Sequence, residues 1–130
     1  MNFKEYLTNV TMEINNKLSS AYLKRIDQVT DCDFILEFNR QENILISLNS
    51  FFPFIKVINE KIHISLDKTF IQFLKSKLDN SKLISSEVLN DDNIIKLSFI
   101  KITETYDKEE HQLIIELFKN NFNLILVKNS

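Results

Sequence analysis

Asp91 and Asp92 stand side by side in the stretch LNDDNII, between the apolar runs LISSEV and IIKLSF. Two carboxylates do acid–base work or hold a cation only where both reach one atom, and neighbouring side chains on a strand point to opposite faces. Asn-Asp-Asp-Asn between β-branched runs is instead a strong turn signal, because Asn and Asp tolerate left-handed backbone angles and bond to their own main chain. The pair is therefore expected in a turn. The other reactive types are sparse. His63 alternates with Ile62 and Ile64, His111 opens an apolar run beside Glu109 and Glu110, and the spacing brings no third ligand to either. Cys32 lies in TDCDF without a cationic neighbour to lower its pKa. A phosphate-cradling loop needs glycine, and the chain has none. The residues predict neither an enzyme nor a metal or cofactor site.

Cations offer a different chemistry. Residues 51–82 carry Lys56, Lys61, Lys68, Lys75, Lys77 and Lys82 against Glu60, Asp67 and Asp79, whereas 101–118 carry two lysines against five acids. The net charge of −2 excludes a globally basic nucleic-acid binder but leaves room for one basic face. Lys56, Lys75 and Lys77 are the candidates for phosphate contacts, with a solvated face as the alternative.

These residues must be positioned by one domain, since 130 residues with 44% hydrophobic content suffice for a single core. Phe3, Tyr6, Leu7, Val10, Ile14 and Leu18 recur at helical spacing, and Ser19-Ser20 ends the pattern. AYLKRIDQV, DFILEFN and ENILISLN follow as strands with short connections. The segment 51–64 reads as irregular or extended, Pro53 arguing against a central strand. A second helix through KTFIQFLKSKL is expected to be capped by Ser65 or Asp67. Four more strand candidates, KLISSEVL, IIKLSFIKI, HQLIIELF and FNLILVK, complete the chain, with TETYDKEE as a hairpin loop and no internal repeat in evidence. The order is helix, meander, helix, meander: an α+β fold with mostly antiparallel strands. One cysteine, no apolar leader and no run of eighteen apolar residues predict a cytoplasmic protein without a membrane span.

The helix TFIQFLKSKL, the strands around NDDNI and the terminal HQLIIELFKNNFNLILV resemble the N-terminal domain of the NFACT family, the RqcH-like proteins also known as fibronectin-binding protein A homologues. Phe70, Leu74, Lys75 and Leu78 fit the family's helix, Asp91 to Ile94 its turn, and Leu113, Ile114, Glu116, Leu117 and 123–127 its final strand. LKRIDQV and ILISLNSFFPFIKV fit the earlier part, so the likeness runs from end to end.

The resemblance implies a β-sandwich-like sheet arrangement with two helices, as in the N-terminal domain of formamidopyrimidine-DNA glycosylases. It also implies a role in ribosome-associated quality control: binding a large ribosomal subunit obstructed by peptidyl-tRNA and recruiting alanyl-tRNA, so that the ribosome adds a C-terminal alanine tail. The family's turn carries an Asp-Arg pair implicated in tRNA handling. Asp92 holds the Asp position and Asn93 replaces Arg. Family members continue into further segments, which predicts that residues 1–130 are one domain of a longer architecture or a reduced form of it. The alternatives are a protein-interaction module without tRNA handling and a fibronectin-binding surface protein.

Overall fold

The structure, a computed structural model, describes residues 2–89, 93–118 and 121–129, the side chains of 121 and 122 excepted. Helix α1 (Phe3–Leu18) leads into strands β1 (Leu23–Gln28), β2 (Asp33–Phe38), β3 (Asn43–Ser47) and β4 (Phe54–Ile58), and helix α2 (Thr69–Leu78) into β5 (Lys82–Val88), β6 (Ile94–Ile102), β7 (Lys108–Phe118) and β8 (Asn121–Asn129). Each set of four strands forms one antiparallel sheet in chain order. This is the expected α+β fold.

α1 starts where the Asn2 side chain accepts from the Glu5 N–H at 2.8 Å and stops where Ser19 turns extended. Its buried stripe of Leu7, Val10, Ile14 and Leu18 joins Phe34, Leu36, Phe38, Ile44 and Ile46 of the first sheet and Leu97, Phe99, Leu113 and Ile115 of the second in one core. The helix lies chiefly on β5 of the second sheet and secondarily on β4, so its main neighbour is not the β2 sheet that carries Phe34 and Leu36. The segment after Pro53 is extended and not a central strand, as expected: β4 is an edge, where proline is tolerated just outside the ladder. α2 lacks the expected cap. Lys68 occupies the N-cap with no side-chain bond, and Asp67 accepts instead from the Gln72 amide at 3.0 Å. The loop TETYDKEE is shorter than expected, because β7 already begins at Lys108.

The two halves are related by an internal duplication that the sequence barely records. Lys17-Leu18-Ser19-Ser20-Ala21-Tyr22-Leu23 corresponds, sixty positions on, to Lys77-Leu78-Asp79-Asn80-Ser81-Lys82-Leu83. The hydrogen bonds at this joint come in matched pairs: Ser20 N–H to Leu83 C=O (2.7 Å) with Asn80 N–H to Leu23 C=O (2.9 Å), and Leu23 N–H to Ser81 C=O (2.8 Å) with Leu83 N–H to Ala21 C=O (2.8 Å). Tyr22 bridges Lys82 at the centre. Ser20 and Asn80 both take positive φ, 70° and 64°, and both first strands shift register, at Leu23/Arg25 and at Leu83/Ser85. Each helix accordingly packs on the first strand of the other half, α1 on β5 and α2 on β1.

A chain without glycine must place other residues in the left-handed region, and Tyr106, at φ 63° in the β6–β7 turn and 90% exposed, is the costliest choice. Tyr106→Gly is expected to raise the unfolding free energy by about 1 kcal/mol in urea titrations, since strain is relieved and no buried surface is lost.

Candidate nucleic-acid interface

The sequence candidates do not share one surface. Asp92 lies outside the described residues. Asn93 precedes β6; its carbonyl accepts from the Leu117 N–H at 2.8 Å, and it lines a cavity of about 420 Å³ with Phe3, Phe51, Phe52, Pro53 and Leu117. Phe51 and Phe52 are 80% and 79% exposed, yet their backbone is fixed: Asn49 Oδ1 accepts from both N–H groups, at 3.1 and 2.7 Å, while Asn49 Nδ2 donates to the Phe52 carbonyl. Lys56 projects from β4 with its ammonium 5.6 Å from the Phe54 ring centre, over a hollow lined by Ile35, Leu45 and Ile62.

Lys75 and Lys77 serve different ends. Lys75 occupies the place that Asn15 holds in the first half. Asn15 ties α1 to β5 through the Ser86 backbone, accepting at 2.7 Å and donating at 2.9 Å. Lys75 ties α2 to β1, its ammonium 3.8 Å from Asp27 Oδ1, while Arg25 Nε donates to Oδ2 at 3.1 Å. Asp27 is 2% exposed and its Oδ1 has no hydrogen bond, so Lys75 is the cation that offsets this oxygen's desolvation. Lys75→Ala should therefore lower stability by about 1–2 kcal/mol, whereas Lys77→Ala, on the exposed side of the same turn, should change it by less than about 0.5 kcal/mol in denaturant titrations.

Lys77 belongs to a cationic rim at the far end of the second sheet. Lys101, His111 and Lys128 follow the core positions Phe99, Leu113 and Leu126 in strand phase, so their side chains share the inner face just beyond the core. Burial pushes the His111 pKa below its ordinary 6.5; Glu109 opposes this, and the fields of Lys128, Lys77 and Lys101 add to it. Asp79, at the end of α2, is pushed up by burial and drawn back by Lys101 and Lys75. Lys128 pairs with Glu109 at 3.8 Å and keeps 60% of its side chain in solvent. Three lysines stand around His111 with two carboxylates among them, Glu109 paired with Lys128 and Asp79 beside Lys101, so the rim is of mixed sign with cations in the majority.

The rim and the Asn93 cavity are separated by the length of β6, about 27 Å at the rise of an extended strand. The sequence reading missed Lys101, Lys128 and the Phe51-Phe52 pair. The available signals were cations in phase with core positions and two phenylalanines next to the chain's one proline. His63 sits in an irregular stretch and contacts Glu37 at 2.6 Å. Among the described residues no three metal-ligating side chains converge, and no helix is long and apolar enough to cross a membrane.

Residues 5–130 match the family described as NFACT N-terminal and middle domains. The chain belongs to the NFACT family. No curated protein matches it in sequence. Among solved structures, this NFACT chain is similar to the N-terminal part of the fibronectin/fibrinogen-binding protein from Streptococcus suis, with a TM-score of 0.90 and 25% identity over 99% of the chain and 50% of the other. It is also similar to the N-terminal domain of fibronectin-binding protein PavA from Streptococcus pneumoniae, with a TM-score of 0.88 and 22% identity over 98% of the chain and 49% of the other. The fibrinogen-binding protein from Staphylococcus aureus follows at 0.79 and 20%, over 94% and 45%. The chain spans about half the length of these structures.

Proposed function

We propose that this NFACT N-terminal domain binds RNA without catalysing a reaction of its own, and that it serves ribosome-associated quality control in the RqcH manner: holding tRNA at a large subunit obstructed by peptidyl-tRNA, in support of alanine tailing. The observation that carries this reading is geometric: Lys128 lies directly opposite His111 across the β7–β8 ladder, Lys101 shares their inner face one pair further along β6, and Lys77 ends the helix beside them. Lysines held on strands and a helix end present fixed charges at a spacing set by the fold, which suits phosphates better than it suits any small reacting group. Peptidyl transfer belongs to the ribosome, so the domain needs only to position its RNA. The family's Asp-Arg turn falls on Asp92 and Asn93, where the charge of Arg is lost, so the rim carries the electrostatic share of binding in this chain. On this reading the protein works in the cytoplasm, where ribosomes are.

Filter binding of tRNA at rising salt tests it. Affinity should fall steeply, with a log–log slope near −3 for three phosphate contacts. Binding that ignores salt would remove the rim's lysines as the contacts, and no binding at low salt would remove RNA as the ligand.

A second reading is favoured by the exposed Phe51 and Phe52 beside an apolar cavity, a surface of the kind that seats a protein side chain. On this reading the domain is a protein-interaction module, and the similar structures named for fibronectin and fibrinogen suggest the ligand to try. Capture of fibronectin by the wild type but not by a Phe51→Ala, Phe52→Ala variant would favour it.

A further inference from the structure

Across β6, β7 and β8 the inner face of the second sheet changes character row by row. Leu97, Leu113 and Leu126 stand opposite one another in an apolar row, Phe99, His111 and Lys128 in the next, and Lys101 pairs with Glu109 in the one beyond. His111 therefore marks the boundary between core and rim. It is 2% exposed, yet charged side chains follow it across the ladder and along its own strand. RNA binding through three lysines gives this buried imidazole no part.

The charged groups that face His111 come from four elements: Glu109 on β7, Lys101 on β6, Lys128 on β8, and Lys77 with Asp79 at the end of α2. Three of the five are cations. Glu109 is the carboxylate nearest in strand phase, and it is already shared with Lys128 at 3.8 Å. In the free domain burial, against the pull of Glu109 and with the added fields of Lys128, Lys77 and Lys101, keeps the imidazole's pKa below the ordinary 6.5. A phosphate at the rim reverses the balance, because its negative charge offsets the ammonium groups and favours an imidazolium beneath them.

We propose that His111 is a conditional fourth cation of the RNA site: it takes up a proton when phosphates reach the rim, so that protonation and RNA binding reinforce each other. The inference rests on the proposed binding of RNA at the rim. Linkage is reciprocal, so whatever RNA does for the proton the proton does for RNA. Since the complex holds the proton more tightly, the gain in RNA affinity is complete below the free-state pKa and is lost as the pH rises through the bound-state pKa. A bound-state pKa about one higher corresponds to about tenfold in affinity.

Filter binding of total tRNA from about pH 8 down to about pH 5.5, at constant ionic strength, tests it with His111→Gln and Asp79→Asn as variants. Wild-type affinity should rise about tenfold towards acid pH, and His111→Gln should flatten most of that rise. Asp79, whose carboxyl burial pushes up, is a second rim group that gains a proton on the way down, so the rise should persist in Asp79→Asn. Proton NMR of a His63→Gln variant, which leaves one histidine in the chain, should show the His111 ring titrating at higher pH once tRNA is added. A rise that survives His111→Gln, a rise abolished by Asp79→Asn alone, or a ring titration that tRNA does not move would each overturn the role of His111, the last even if His111→Gln does not fold. Affinity that stays level across the range would overturn it too and leave RNA binding at the rim standing, whereas no binding of tRNA at any pH would remove both.

Discussion

Leu7→Ala should lower the unfolding free energy by about 2–5 kcal/mol, the largest stability effect expected of a single α1 substitution. Leu7 is fully buried between the first helix and both sheets, in the same core as Leu97 and Ile55. Truncation removes apolar contacts and leaves a cavity that a helix pinned on both sides cannot close. Asn15 fixes α1 to β5 and Tyr6 fixes it to β4, so the usual relaxation, a shift of the helix towards the gap, is blocked. Urea unfolding at fixed pH measures the loss, and a change below about 0.5 kcal/mol would mean that α1 does not dock as described.

Replacing Lys77, Lys101 and Lys128 together by alanine should weaken tRNA binding by about 100-fold at low salt and bring the salt slope close to zero. All three reach solvent beyond the core; Lys101 acts on the partly buried Asp79 and Lys128 on Glu109, but neither faces a carboxylate as deeply buried as Asp27 is beside Lys75. The variant should therefore keep the wild-type unfolding midpoint within a few tenths of a kcal/mol, separating lost binding from lost fold. A triple substitution of Lys56, Lys75 and Lys77, the set that sequence alone suggests, would confound the two, because removing Lys75 loosens α2 from β1. Unchanged tRNA affinity in a folded Lys77, Lys101 and Lys128 variant would make the rim a solvated face and shift the account to the Phe51-Phe52 surface.

Periodicity made most of the elements legible. The stripe from Phe3 to Leu18 and the alternation of Phe34, Leu36 and Phe38 survive intact because burial selects both patterns directly. Pro53 pointed to the place of β4 at the sheet's edge but left open whether the segment was a strand or irregular, since proline is informative about a strand's place in the sheet and not about its existence. The duplication was hidden for a different reason. Its signal is a backbone joint at Leu18–Leu23 and Leu78–Leu83, where left-handed Ser20 and Asn80 do the same work with different side chains and only Lys, Leu and Leu recur. The site was least legible. Lys75 and Lys77 look alike in a list of lysines, but two positions on a helix turn them about 200° apart, one onto Asp27 and one to the rim. Lys101 and Lys128 escaped notice because each was read as one residue of an apolar strand, and only the strand pairing brings the two to the same end of the sheet.

The central claim is that this NFACT domain engages RNA on an obstructed ribosomal subunit, and co-sedimentation tests it most directly. Large subunits carrying peptidyl-tRNA, and the same subunits stripped of it, are pelleted with wild type and with the Lys77, Lys101 and Lys128 alanine variant at increasing salt. The account predicts that the wild type pellets with the obstructed subunits, is released as salt rises, and that the variant stays in the supernatant. Equal pelleting of wild type and variant, or no pelleting of the wild type even at low salt, would contradict it.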